Sequence, residues 1–233
     1  MEVPIRNKKI IALLDKIITD FHNTCDECEI DIDNYNYNRI QCNIGKQTSE
    51  EIQNYISEKF LREKFLSDPE AHVGYPLQYR VIPVEHLAEY YEGFDNFYKW
   101  GKYDLPIEIG AASSALFVHY PHDGLTGWHT NWNANAYQLL FTWSETGDGF
   151  FRYYDKAKDE IVTIQDKPGW QCRWYYFGRK DEPEHHCWHA CYAGASRRMT
   201  LAFKFSNKGK DSEEDTMAQL LRDELVAEIS SDE

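Results

Sequence analysis

Apolar residues at Ile10, Leu13, Leu14, Ile17, Ile18 and Phe21 recur at three- and four-residue steps, which predicts an amphipathic helix over 5–21. Residues 24–48 are polar and rich in Asn and Asp, the pattern of a long irregular loop or a weak hairpin. Ser49-Glu50-Glu51 then supplies a cap and two acids where a helix N-terminus favours them. Ile52, Tyr55, Ile56 and Phe60 form the buried stripe of that second helix, and Asp68-Pro69 ends it. A third helix is predicted from Val84 to about Trp100, with Leu87, Tyr90, Tyr91, Phe94 and Phe97 inward.

From Ala111 the period changes to that of strands. Ala115–Tyr120, Tyr137–Trp143, Phe150–Asp155, Ile161–Ile164, Cys172–Phe177 and Arg198–Phe205 read as short strands, separated by Gly147-Asp148-Gly149, Pro168-Gly169 and similar turns. Helices in the first hundred residues are thus followed by strands in the next hundred, a mostly β fold of the sandwich or small-barrel kind. Residues 206–216 form a charged linker. Met217, Leu220, Leu221, Leu225 and Ile229 return to helical spacing in an acidic tail, read as a terminal helix on the body or a docking helix for a partner. No internal repeat is visible.

Composition narrows the classes. The 233 residues suffice for one sizeable domain, and 42% apolar with 15% aromatic content marks a folded chain. A formal charge of −14 argues against nucleic acid as partner, since duplex binding relies on clustered Lys and Arg. No stretch approaches the roughly 18 apolar residues of a membrane span. The apolar run Ile10–Leu14 is broken by Asp15 and Lys16, too short for a signal-peptide core, so a cytoplasmic protein is expected. The six cysteines are then read as mostly reduced thiols. Cys25-x-x-Cys28 with Cys187 and Cys191 would match a structural zinc site in an interaction protein, although no second knuckle at zinc-ribbon spacing accompanies them.

Two histidine segments carry the chemistry. One is Tyr120-Pro-His-Asp-Gly-Leu-Thr-Gly-Trp-His129-Thr-Asn131; the other, sixty residues on, runs from His189 to Arg198-Met-Thr200. On a strand His129 and Asn131 would share one face, and His189 from a second strand end would complete three ligands of an open iron site. Asn131 stands where a carboxylate is expected. Its amide oxygen is a neutral, weaker donor, so it coordinates weakly, or Asp123 or Asp148 substitutes, or the site binds without turnover. His186 is the rival to His189, and His185 and His186 read as solvated loop residues. Trp128 and Trp132 line a mouth or fill the core; Arg152 reaches the site mouth or lies on a solvated strand face.

Segment 115–205 resembles the catalytic core of the 2-oxoglutarate/Fe(II)-dependent oxygenases, most closely their prolyl-hydroxylase branch. The matching parts are the Tyr-Pro loop leading into H-x-(D/N), the Gly147–Tyr154 turn and aromatic strand, the strand Arg173–Phe177, the distal His189, and Arg198 nine residues later. The resemblance implies a double-stranded β-helix (jelly roll, cupin-like) in a single domain over 1–205, with 1–110 as helical support, 111–205 as catalytic core and 206–233 as acidic linker and helix. It implies Fe(II), 2-oxoglutarate and dioxygen, with ascorbate as an accessory reductant, and succinate and carbon dioxide as products. His129, Asn131 and His189 would be metal ligands. Tyr120, Arg198 and Thr200 would bind the cosubstrate's far carboxylate. The substrate would be a protein or peptide side chain, or else a small molecule, with neither nucleic acid nor membrane as partner. The other reading is a non-catalytic binding module on the same fold, with Asn131 as its signature.

Overall fold

The computed structural model describes residues 1–35, 37, 49–68, 77–131, 137–178, 182–205 and 223–232. Among these residues lie eleven strands: β1 (Glu2–Val3), β2 (Gln78–Tyr79), β3 (Ile82–Pro83), β4 (Ser113–Tyr120), β5 (Leu125–His129), β6 (Tyr137–Ser144), β7 (Phe150–Asp155), β8 (Glu160–Gln165), β9 (Gly169–Tyr176), β10 (His189–Tyr192) and β11 (Arg198–Lys204). One sheet has the order β1-β9-β6-β11-β4-β3 and the other β2-β5-β10-β7-β8, antiparallel throughout. Strands β4 to β11 pass between the two sheets in the winding of a double-stranded β-helix, which is the expected fold class. The short strands β1, β2 and β3 extend both sheets from the N-terminal hundred residues.

The larger sheet is covered by helices. Helix α1 (Lys8–Glu27) starts at Asn7, whose Oδ1 accepts from the Lys9 and Ile10 amides at 3.0 and 3.2 Å. It buries Ile10, Leu14, Ile17, Ile18 and Phe21 against Phe117, Phe141, Met199, Leu201 and Phe203 of the sheet. Helix α1 also runs past the predicted end at residue 21, carrying Cys25 into this core. The expected helix over 84–100 is broken into a helix at Val84–Tyr90, a 3-10 turn (Glu92–Phe94) and a helix at Asp95–Lys99 continued by a π turn at Trp100–Asp104. Tyr91 is extended (φ −134°), and Gly93 packs where a Cβ would lie 2.8 Å from Thr24 Cγ2, so close contact with α1 overrides a continuous helix.

The smaller sheet is covered by the second predicted helical region, divided into Ser49–Asn54 and Glu58–Leu61 with a π turn at Arg62–Leu66. Ser57 Oγ caps the second piece by accepting from the Phe60 amide at 3.1 Å. Ile52, Ile56 and Leu61 pack there with Leu125, Trp128, Trp188 and Ala190. Residues 223–229 are helical, and Leu225 and Ile229 join the main core, while the Arg6 and Asn7 amides donate to the Ile229 carbonyl at 2.8 and 3.1 Å. Met217, Leu220, Leu221, the linker 206–216, Pro69, Cys42 and residues 36 and 38–48 of the loop read over 24–48 lie outside the described residues; of the rest of that loop, 24–27 continue helix α1. Among those described, no helix is long and apolar enough to cross a membrane.

Candidate active site

The space between the sheets holds a cavity of about 430 Å³, and it gathers His129, Asn131, His189, Tyr120, Arg198 and Thr200 on its walls. Strand alternation explains most of this. On β11, Met199, Leu201 and Phe203 face the helices, so Arg198, Thr200, Ala202 and Lys204 face the cavity. Strand β5 departs from strict alternation. Cys191 pairs with Thr126 and His189 with His129, so β5 spends three residues where β10 spends two. That bulge turns both Thr126 and His129 inward and leaves Trp128 in the outer core. β5 ends at His129, so Asn131 reaches the cavity from the following loop and not from a common strand face.

His129 and His189 stand directly across the β5–β10 ladder with ring centroids 4.1 Å apart. Each Nδ1 lies 2.9 Å from a backbone carbonyl, Gly127 for His129 and Cys187 for His189. A carbonyl only accepts, so both Nδ1 atoms carry the proton and both Nε2 atoms keep a lone pair. Burial pushes His129 down to about 4. Burial, then the neighbouring His129, holds His189 well below the usual imidazole range. Both rings are neutral donors at pH 7, fixed in tautomer by the backbone as metal-binding imidazoles are. Phe177 and Phe151 pack on His189, with centroids 4.5 and 5.5 Å away.

The donor set fits a divalent metal at two positions, with the Asn131 amide oxygen as the third candidate. Among the described residues no three His, Cys, Asp or Glu side chains come together as a metal-holding group. Asp123 instead accepts from the Tyr192 hydroxyl at 2.5 Å, and Asp148 from Thr146 Oγ1 at 3.3 Å, so neither replaces the missing carboxylate. Cys25 belongs to the helix-side core and Cys191 to the space between the sheets, so the zinc staple is not assembled. His186 precedes β10 and does not line the cavity; His185 ends an exposed 3-10 turn. Trp128 is core, its Nε1 donating to the Ser57 carbonyl at 2.9 Å, and Trp132 lies outside the described residues. Arg152 lies on the outer face of β7, donating to the Ile56 carbonyl at 3.1 Å and to Thr163 Oγ1 at 3.0 Å, and so does not reach the site mouth.

At the far end of the cavity Arg198 is almost fully buried. Its Nε donates to Asp166 Oδ2 at 2.8 Å and its Nη1 to Thr200 Oγ1 at 2.7 Å, leaving Nη2 without a partner among the described residues. Burial opposes its charge, but Asp166 outweighs that and keeps the guanidinium protonated. The Tyr120 ring lies 5.4 Å from the guanidinium, and its hydroxyl is 3.3 Å from Thr126 Oγ1. Burial, reinforced by the adjacent Cys191 thiol, keeps that phenol protonated. Asp166 is the participant the sequence did not reveal: two residues before Pro168-Gly169, it reads as an ordinary turn acid.

No protein-family model matches the chain, and no curated protein matches it in sequence. Among solved structures it is similar to a Pseudomonas putida prolyl-4-hydroxylase, at 12% identity over 70% of this chain and 89% of that one, with a TM-score of 0.32. It is also similar to a cupin domain from Bordetella pertussis Tohama I, at 14% identity over 40% and 80% of the two chains, TM-score 0.26. A third is Peruvianin-I, a cysteine peptidase from Thevetia peruviana latex, at 13% identity and TM-score 0.28, over 40% of this chain and only 50% of that one. Overlaps this loose carry no chemistry, and the jelly-roll assignment stands on the chain's own strand order.

Proposed function

We propose that this chain is an Fe(II)- and 2-oxoglutarate-dependent dioxygenase that hydroxylates a side chain of a protein or peptide, in the manner of the prolyl hydroxylases it resembles in motif order. One observation carries the reading: two neutral imidazoles with Nε2 lone pairs share a cavity with a buried arginine whose Nη2 has no partner among the described residues. His129, His189 and Asn131 would hold the iron. Arg198 Nη2, with the Thr200 and Tyr120 hydroxyls, would bind the far carboxylate of 2-oxoglutarate. Iron and the oxoacid, when bound, supply the oxidation of a substrate C–H bond by dioxygen. The protein's part is to hold both imidazoles in one tautomer, to orient the oxoacid, and to exclude water with Leu140, Phe151, Phe177 and Ala202.

A second reading is favoured by Asn131 itself: with an amide in place of a carboxylate, the site would bind an organic acid without turnover. Consumption of 2-oxoglutarate with added Fe(II) and mixed peptide substrates separates the two. An enzyme consumes it, and Asn131→Asp keeps or raises the rate. Absence of consumption in both proteins would leave the binding module.

A further inference from the structure

Three charged side chains sit together beneath the cavity with almost no access to solvent. Arg198 is 3% exposed, Asp166 0% and Arg173 7%. Asp166 Oδ2 accepts from Arg198, while Oδ1 has no hydrogen bond and lies 3.9 Å from Arg173 Nη1. Arg173 Nη2 donates to Gln171 at 2.9 Å, a neutral partner. Glu2, across the β1–β9 ladder from Arg173, is exposed and engaged by Lys167 at 2.6 Å. Tyr120 and Tyr175, the phenols facing this cluster, are kept protonated by burial. The buried cluster therefore carries two positive charges and one negative, a net of +1.

The backbone is shaped around this acid. The Asp166 amide donates to the Gly149 carbonyl at 2.8 Å, and a Cβ on Gly149 would lie 2.7 Å from Asp166 Oδ2. The turn before β7 thus needs a glycine, to admit this carboxylate together with the Tyr192 and Ala193 carbonyls that crowd the same position at 2.8 and 3.1 Å.

We infer that Asp166 is a positioning and specificity-determining residue: it fixes Arg198 through Nε and trims the buried charge to +1, so that the Arg198 end of the cavity takes a singly charged terminal group such as a carboxylate and disfavours a doubly charged one. The inference rests on the reading of the cavity as a 2-oxoacid site. One carboxylate on Arg198 Nη2 brings the buried sum to zero. A phosphonate in its place overshoots, and excess buried charge is costly.

The test is calorimetric titration of the full chain with 2-oxoglutarate under anaerobic Fe(II), and with glutarate without metal, which reports the carboxylate clamp alone. Asp166→Asn keeps an acceptor for Arg198 Nε and removes only the charge; it should bind both acids at least about tenfold more tightly, since one unit charge several ångströms away in a site screened less than water is worth that much or more. Arg173→Gln should bind about tenfold more weakly by the same estimate, although Arg173 does not line the cavity. The double variant returns to the wild-type affinity. Wild type should also prefer 2-oxoglutarate to an analogue with a phosphonate in place of the far carboxylate, and Asp166→Asn should lose that preference. If wild type binds 2-oxoglutarate but neither variant changes affinity or selectivity, the role of Asp166 is overturned and the oxoacid site stands. If wild type binds neither acid, the oxoacid site itself fails. Should Asp166→Asn not fold, Arg173→Gln and the wild-type preference decide; equal binding of the phosphonate by wild type overturns the inference.

Discussion

Replacing Arg198 by Leu would test the buried ion pair through stability alone. The substitution leaves Asp166, wholly buried, with Arg173 at 3.9 Å as its remaining counter-charge and no hydrogen bond to either side-chain oxygen. Stranding one partner of a buried pair costs about 3–5 kcal/mol; the residual attraction of Arg173 places this case near the lower end, about 3 kcal/mol. For a chain of this size that loss lowers Tm by roughly 6–12 °C. Removing the acid as well, in Arg198→Leu/Asp166→Leu, should recover about 1 kcal/mol, less than the near-neutral result for replacing a whole pair, because Arg173 then keeps only neutral Gln171. Urea unfolding of the wild type, Arg198→Leu, Asp166→Leu and the double variant gives the coupling directly. Additive losses, or a cost under about 1 kcal/mol for Arg198→Leu, would refute the claim that the pair is desolvated and mutually dependent.

Three further outcomes follow from the packing. Gly101→Ala places a methyl group into the Phe117 ring and should cost about 1–3 kcal/mol, partly restored by Phe117→Leu; a neutral Tm would show that the helix and β4 are not in that contact. Ile229→Ala empties a wholly buried position and should cost about 2–5 kcal/mol; an effect near zero would mean that 223–229 is not core and is free to dock elsewhere. His119 is wholly buried with neither ring nitrogen hydrogen-bonded, and burial pushes it down to about 3 from 6.5; His22, on the facing helix, is lowered too, for the same reason. The unfolded chain therefore binds protons below about 6.5 that the folded one refuses until about 3, so stability is full above the upper value and falls as pH drops through the window. The urea midpoint should decrease from pH 7.5 to pH 5, and a flat profile would contradict the burial of these rings.

Strands β6, β7 and β8 were readable from their runs of aromatic and β-branched residues between turn signals, and α1 because one stripe faces one core. Strands β5 and β10 are short, and the bulge at Gly127-Trp128 breaks the period of two, so no local pattern could place His129 inward with Thr126. The break at Tyr91–Gly93 depends on contact with Thr24, a long-range constraint invisible to periodicity. That His129, His189, Arg198, Thr200 and Tyr120 belong together was suggested by their order and spacing, and they do line one cavity. Asp166 was not so marked, because its importance comes from desolvation across the sheet and not from its neighbours in sequence.

Anaerobic titration of the metal-free protein with Fe(II) and 2-oxoglutarate tests the proposed centre most directly. The account predicts a visible charge-transfer band from the chelated oxoacid, present in the wild type and lost in His129→Ala, His189→Ala and Arg198→Ala. No band in the wild type, with one appearing in Asn131→Asp, would contradict it and show a scaffold that no longer holds iron in the form required for turnover.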